Sequence, residues 1–266
     1  MSATLLASPA AERIPLLGRL AIRALRHAGD GRPPALPPIE GLVVRVRGQA
    51  ERPSWHASTG LYGFVRTPPG PVEIVISDPS RRVLPWAVSA TVPDRTAVGD
   101  AIVAGTPPPA IPALVLDVPL RATAEGALPP GASVWGIVCE EDGSIAPLAR
   151  VSVETVFGAD DGRVTTWADD RASFLLPLPG ETAETTRRLI VHTPQPALAE
   201  ALRRDFLAAL PADLDAMNPD AAAAPFTRRR FRLIAPDGST RERSGNQNPR
   251  LPVTPGASRW DIELLP

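Results

Sequence analysis

Apolar and polar positions alternate with a two-residue period in short runs along most of this chain, and Pro or Gly breaks the runs. That pattern predicts short strands joined by turns. Gly41–Arg47 reads as an edge-like strand, followed by Leu61–Arg66 and Val72–Ser77. Val83–Val92 carries Pro85, which marks an edge or a bulge. Leu114–Arg121 reads as a strand crossing between two β modules. Ser133–Cys139, Ala149–Val156, Val164–Ala168, Ala172–Leu178 and Arg188–Thr193 follow, and Ala149–Val156 alternates as a half-buried strand should. Phe226–Ile234 and Trp260–Leu265 form a last pair. Turns fall at Asp78–Arg82, Glu140–Gly143, Asp160–Arg163 and Pro236–Gly238, where Asp and Gly supply turn chemistry.

Two stretches change period. Residues 9–28 space Leu17, Leu20, Ala21, Ala24 and Leu25 at i, i+3, i+4 and interleave Arg13, Arg19, Arg23 and Arg26, which predicts an amphipathic helix ended by Gly29 and Gly31. Residues 196–216 place Leu198, Leu202, Phe206, Leu207 and Leu210 on one face, opening at Pro196 and ended or kinked at Pro211.

One arrangement occurs twice. Phe64 sits six residues before Gly70 of a Pro-Gly pair, and Phe174 sits six before Gly180 of another; a β-branched run follows each. A repeated β-hairpin implies two stacked β modules. The expected fold is mainly β: two β-sandwich modules with an N-terminal amphipathic helix and a C-terminal helical insertion. The expected divisions are 1–38 (helix and Pro-rich connector), 39–105 (first sandwich), 106–130 (Pro-rich linker) and 131–266 (second sandwich, with the helical insertion at 196–216).

Composition narrows the function classes. Hydrophobic residues make up 44%, enough for a real core. Pro accounts for 33 of 266 residues, against a usual share of ~5%, which forbids long helices and favours short strands and stiff connectors. The net charge of −1 provides no general field for nucleic acid. All 28 basic residues are Arg, a coding bias that also supplies planar, bidentate contacts suited to assembly. The single Cys139 excludes an intramolecular disulfide. No apolar stretch reaches the ~18 residues of a span, and the opening Met1–Arg13 lacks a basic segment before its short apolar run, so synthesis and folding in the cytoplasm are expected.

Catalytic, cofactor and metal residues are expected to be absent. His27, His56 and His192 are far apart and none has a second ligand at metal spacing. Asp160, Asp161, Asp169 and Asp170 could form a calcium site, but all lie in turns where Asp bonds its own backbone. The candidate binding residues are two groups. Trp55, Tyr62 and Trp86 would serve a carbohydrate- or receptor-binding face if exposed. Arg228, Arg230 and Arg232 fall on one strand face, opposite Arg229, Phe231 and Leu233, and form a solvated or subunit-facing stripe.

The segment Val134–Gly143, Ala149–Val153 and Asp169–Gly180 resembles the carboxypeptidase regulatory-like domain, whose pattern is a strand, an Asp-Gly turn, a "small-Arg-Val" strand and an Asp-x-x-Gly-x-Phe signal ending in Pro-Gly. Ala172 stands where that pattern has Gly. The resemblance implies a prealbumin-like sandwich in a non-catalytic accessory role. Over residues 40–200 the layout is also similar to proteins of contractile phage-tail-like particles, including extracellular contractile injection systems. It shares with them Gly60–Phe64, Ser77–Pro85 and Leu128–Gly131. That likeness implies an accessory baseplate, collar or cap component with sheath, tube or baseplate partners, released as part of an extracellular particle. It implies neither nucleic-acid binding nor a membrane span. Phe174 and Trp135 are read as core residues, so alanine at either is expected to cost about 3 kcal/mol in a denaturant melt.

Overall fold

The computed structural model describes residues 20–26, 39–94, 104, 115–126, 131–154, 163–178, 183–205, 210–242 and 248–266. The expected connectors at 33–38 and 106–112, together with His27, Asp160 and Asp161, lie outside them. The described chain is mainly β.

Two four-stranded sheets enclose the first core. One orders β3 (Ser54–His56), β4 (Leu61–Phe64), β1 (Leu20–Arg26) and β7 (Val115–Leu120); the other orders β13 (Leu210–Pro211), β6 (Trp86–Val92), β5 (Gly70–Ser77) and β2 (Val43–Val46). Ile22, Phe64, Ile74, Ile76 and Leu120 are completely buried between them. Thus Leu20–Arg26 is a strand, not part of a helix. It runs parallel to β7 and antiparallel to β4. Its apolar residues also satisfy the two-residue period: Leu20, Ile22 and Ala24 point into the core. Ala21 and Leu25 on the other face add the apolar positions that also fit a helical period, so the sequence alone does not separate the two.

The remaining strands form one ten-stranded arrangement around a second core. Its main path is β10 (Arg163–Trp167), β9 (Arg150–Glu154), β12 (Thr185–Pro194), β14 (Phe226–Ile234), β18 (Asp261–Leu265), β8 (Ala132–Glu140) and β11 (Ser173–Leu178). Short β15 (Thr240–Arg241), β16 (Arg250–Val253) and β17 (Ala257–Arg259) attach to β14, β12 and β8. Phe174, Leu176, Phe231 and Ile262 fill the core. The expected final pair forms as β14 against β18, and β18 also runs parallel to β8. Phe174 is in the core as expected, but Trp135 is not: it lies half-buried under the guanidinium of Arg259, 5.2 Å from its ring centre, so the core-residue cost of alanine applies to Phe174 alone.

The repeated Phe–Pro–Gly arrangement is not a hairpin in either copy. β4 pairs with β1 and β3, whereas β5 pairs with β2 and β6. β11 pairs with β8, and β12 pairs with β9, β14 and β16. The first Pro-Gly link therefore carries the chain from one sheet to the other, the second pair at 179–180 lies outside the described residues, and Phe64 and Phe174 anchor β4 and β11 in their cores. In the first link, Glu51 accepts the N–H groups of Val65 and Arg66 and holds the bend.

The single helix expected over 196–216 is two: α1 (Pro196–Asp205) and α2 (Ala212–Ala216), with β13 between them. Pro211 pairs with Ala87 in extended conformation and caps α2 without continuing α1.

The turn at Asp169–Ser173 shows why its sequence pattern exists. Ala172 donates to Asp169 O, Asp169 donates to Ser173 O, and Ala172 holds φ at 60°. That left-handed position favours Gly, the residue of the family pattern. A Cβ on Gly136 would lie 2.1 Å from Trp260 O. Because that neighbour is backbone bonded to Trp135 O through Trp260 N, Gly136→Ala is expected to cost about 3 kcal/mol by chemical denaturation.

Candidate functional site

The densest polar chemistry lies where the two cores meet. The first core does not end at its own sheets: Leu148, Trp167, Leu202, Ala224 and Phe226 belong to it. Trp167 packs on Phe226 with ring centres 5.7 Å apart, worth about 1 kcal/mol beyond burial.

Residues 210–226 form a strap across this junction. β13 attaches its start to the edge of β6. On α2, Asp215 accepts Arg121 Nε and Nη2 at 2.8 and 2.7 Å and Trp167 Nε1 at 2.8 Å. Arg121 also donates to Thr165 O, so it ties β10 and the strap to the segment after β7. Burial pushes the Asp215 carboxyl up, but the Arg121 charge and these hydrogen bonds outweigh it and hold the group below its ordinary value. Further along, Met217 O accepts from Arg150, and Asp220 accepts Arg163 Nη1 at 2.8 Å and pairs with His192 Nε2 at 3.0 Å. This strap corrects one expectation. β9 is buried on both faces, not half-buried, with Ser152 only 2% exposed. A cavity of about 460 Å³ remains beneath, lined by Arg150, Ser152, Arg163, Thr165 and residues 216–220.

Beside the strap, two Asp-led turns face each other. In the first, Asp78 accepts the N–H groups of Ser80 and Arg82 plus Arg82 Nε, and Arg81 takes φ 55°. In the second, Asp169 accepts the N–H groups of Arg171 and Ser173. Burial raises the Asp169 carboxyl. Burial also pushes Asp78 up, but the hydrogen bonds from Arg82 and Ser80 reverse it and leave Asp78 lowered. Arg81 spans the gap to Asp170, Asp169 and Glu125, and Arg171 pairs with Glu125. The Thr123 hydroxyl donates to Arg81 O. Of the carboxylates considered for calcium, Asp169 is thus occupied by its own turn and Asp170 by Arg81. Among the described residues no group of three His, Cys, Asp or Glu side chains could hold a metal ion.

The candidate binding residues are placed as follows. Tyr62 and Trp86 are each 4% exposed. The Tyr62 hydroxyl donates to Ile39 O and accepts Leu42 N, pinning the chain before β2. Trp55 stacks on Tyr62 at 4.6 Å and packs on the same core. The structure therefore brings the three aromatics to one core and not to an open face. Arg228 and Arg230 are exposed on β14, while Arg232 grips Glu263 through two nitrogens. Cys139 is half-buried and donates to Ile262 O; burial raises its thiol, which keeps it neutral. Arg121, Asp215, Arg163 and Asp220 were missed by sequence reasoning. Arg121 and Asp215 are 94 residues apart, and no local pattern pairs them.

No family model matches the chain, and no curated protein matches it. Among solved structures, it is similar to the major pilin subunit BcpA of Bacillus cereus at 7% identity, covering 85% of this chain and 55% of that one, with a TM-score of 0.25. A streptococcal ancillary pilin is 8% identical over 93% of this chain and 62% of that one, with a TM-score of 0.22. The minor pilin GBS52 of Streptococcus agalactiae is 11% identical over 93% and 96%, with a TM-score of 0.21. Similarities at this level say nothing about what this chain does.

Removing Asp215 leaves the Arg121 side chain, 11% exposed, without its carboxylate. Asp215→Ala is expected to cost about 3 kcal/mol by urea unfolding at pH 7. The sign with pH follows from the lowered carboxyl: its contribution is complete above the ordinary 3.8 and fades as pH falls below that value. The variant and the parent should therefore converge in acid.

Proposed function

We propose that this protein is a non-enzymatic structural component of a large assembly, acting as a rigid bridge between neighbouring subunits. The observation that carries this reading is the junction: two β cores are locked by a strap whose buried carboxylate takes bonds from both. Chemistry that would serve catalysis elsewhere is used here to hold backbone. Asp78 and Asp169 close turns, Asp215 and Asp220 fasten the strap, and Cys139 is a neutral thiol.

Docking would use the outer sheet edges. β2, β3 and β7 end their sheets, and their outer edges pair with no described strand. An edge of this kind accepts a strand from a neighbour. Asp117 and Pro119 on β7 and the exposed Arg45 on β2 restrict promiscuous pairing. The exposed Arg228 and Arg230 offer bidentate contacts to a subunit's carboxylates.

The assembly we favour is a contractile phage-tail-like particle, with this chain an accessory baseplate, collar or cap component assembled in the cytoplasm and released with the particle. Its support is the resemblance over residues 40–200. A ligand-binding module is disfavoured by the burial of Tyr62 and Trp86. Sedimentation of a native-host lysate, with mass spectrometry and electron microscopy of the pellet, tests this. Co-sedimentation with sheath, tube and baseplate proteins is the expected outcome. A protein left alone in the supernatant would sink the particle reading.

A further inference from the structure

His192 stands apart from the other polar groups of the junction. It lies in the middle of β12 and is 1% exposed. In the strand register it faces Arg150 of β9 on one side and Arg228 of β14 on the other. Directly opposed like charges on neighbouring strands repel. Its only hydrogen-bonded carboxylate is Asp220 of the strap, which also takes Arg163 of β10. Burial pushes the Asp220 carboxyl up, and the Arg163 and His192 bonds more than reverse it. An ionised Asp220 can only accept, so Nε2 of the ring carries the proton and donates. Nδ1 is then a bare acceptor, buried with no hydrogen-bond partner.

That arrangement fits a neutral ring and resists a charged one. A second ring proton would sit on Nδ1, where nothing accepts it, and would place a third cation in the row Arg150–His192–Arg228. If the strap lifts, water reaches the ring and the penalty disappears. We propose that His192 is an acid-sensitive catch: protonation of its ring releases residues 218–223 of the strap from the outer face of β9 and β10, while both cores stay folded. Burial, followed by the flanking arginines, lowers the ring below its ordinary 6.5 despite Asp220. The closed strap therefore binds fewer protons than the open one. Closure is favoured above 6.5 and is progressively lost as pH falls below it. This does not depend on which assembly the protein joins.

Hydrogen–deuterium exchange of the full chain at pH 7.5 and 5.5, corrected for intrinsic rates, tests the catch. The readout is the amides of Asp220 and Ala221, which are bonded within the closed strap. Their opening constant is expected to rise at the lower pH, by at most about tenfold, and His192→Gln should abolish the rise. An unchanged opening constant, a rise spread over both cores, or a rise that persists in His192→Gln would overturn the proposal. Should that variant not fold, ring-nitrogen NMR of the parent decides the matter. A ring that titrates below the ordinary 6.5, with the strap amides shifting in the same transition, is expected; titration at the ordinary value, or a transition the strap amides do not follow, would overturn the catch.

Discussion

The Asp215 carboxylate is the constraint on which the rest depends. A buried charge is costly unless its oxygens are filled by donors of the right geometry. Here the donors come from opposite ends of the fold: Arg121 follows β7 of the first core, and Trp167 ends β10 of the second. Neither can move away without stranding the charge. Trp167 carries two roles at once, since its ring packs into the first core while its N–H bonds the strap. Polar and apolar fastening therefore coincide, and the junction is a continuation of the core and not a contact between finished domains.

From this follows the distribution of arginine. The chain has no lysine, and arginine's planar fork lets one side chain tie several segments. Arg121 reaches Thr165 O and Asp215; Arg81 reaches the opposing turn and Glu125. The exposed members of such networks contribute little each. Their effect is to fix orientation, as does Asp215, whose removal would strand the Arg121 charge. A body locked in this way transmits position from one end to the other, which is the property a bridging subunit needs.

Much of the second half was legible because its strands obey local rules. The Glu140–Gly143 turn has Gly143 at φ 79°, where the sequence placed it, and β14 pairs with β18 as the two apolar runs imply. The Arg228–Leu233 alternation also holds, with Phe231 and Leu233 buried opposite Arg228 and Arg230. What was not legible depended on distant partners. Leu20–Arg26 satisfies a helical and a strand period equally, and only β4 and β7 decide between them. The Pro-Gly links read as hairpins because adjacent strands usually pair, yet both cross between strands that do not. Residues 210–216 read as the end of a helix, since nothing local shows that Asp215 and Asp220 will be gripped by distant arginines.

The central claim is that the two cores behave as one locked body. Urea unfolding at pH 7, followed in parallel by far-UV circular dichroism and tryptophan fluorescence, tests it most directly. A single transition, superimposable in both signals, is the predicted result. Two separated transitions, with one core lost while the other persists, would contradict it.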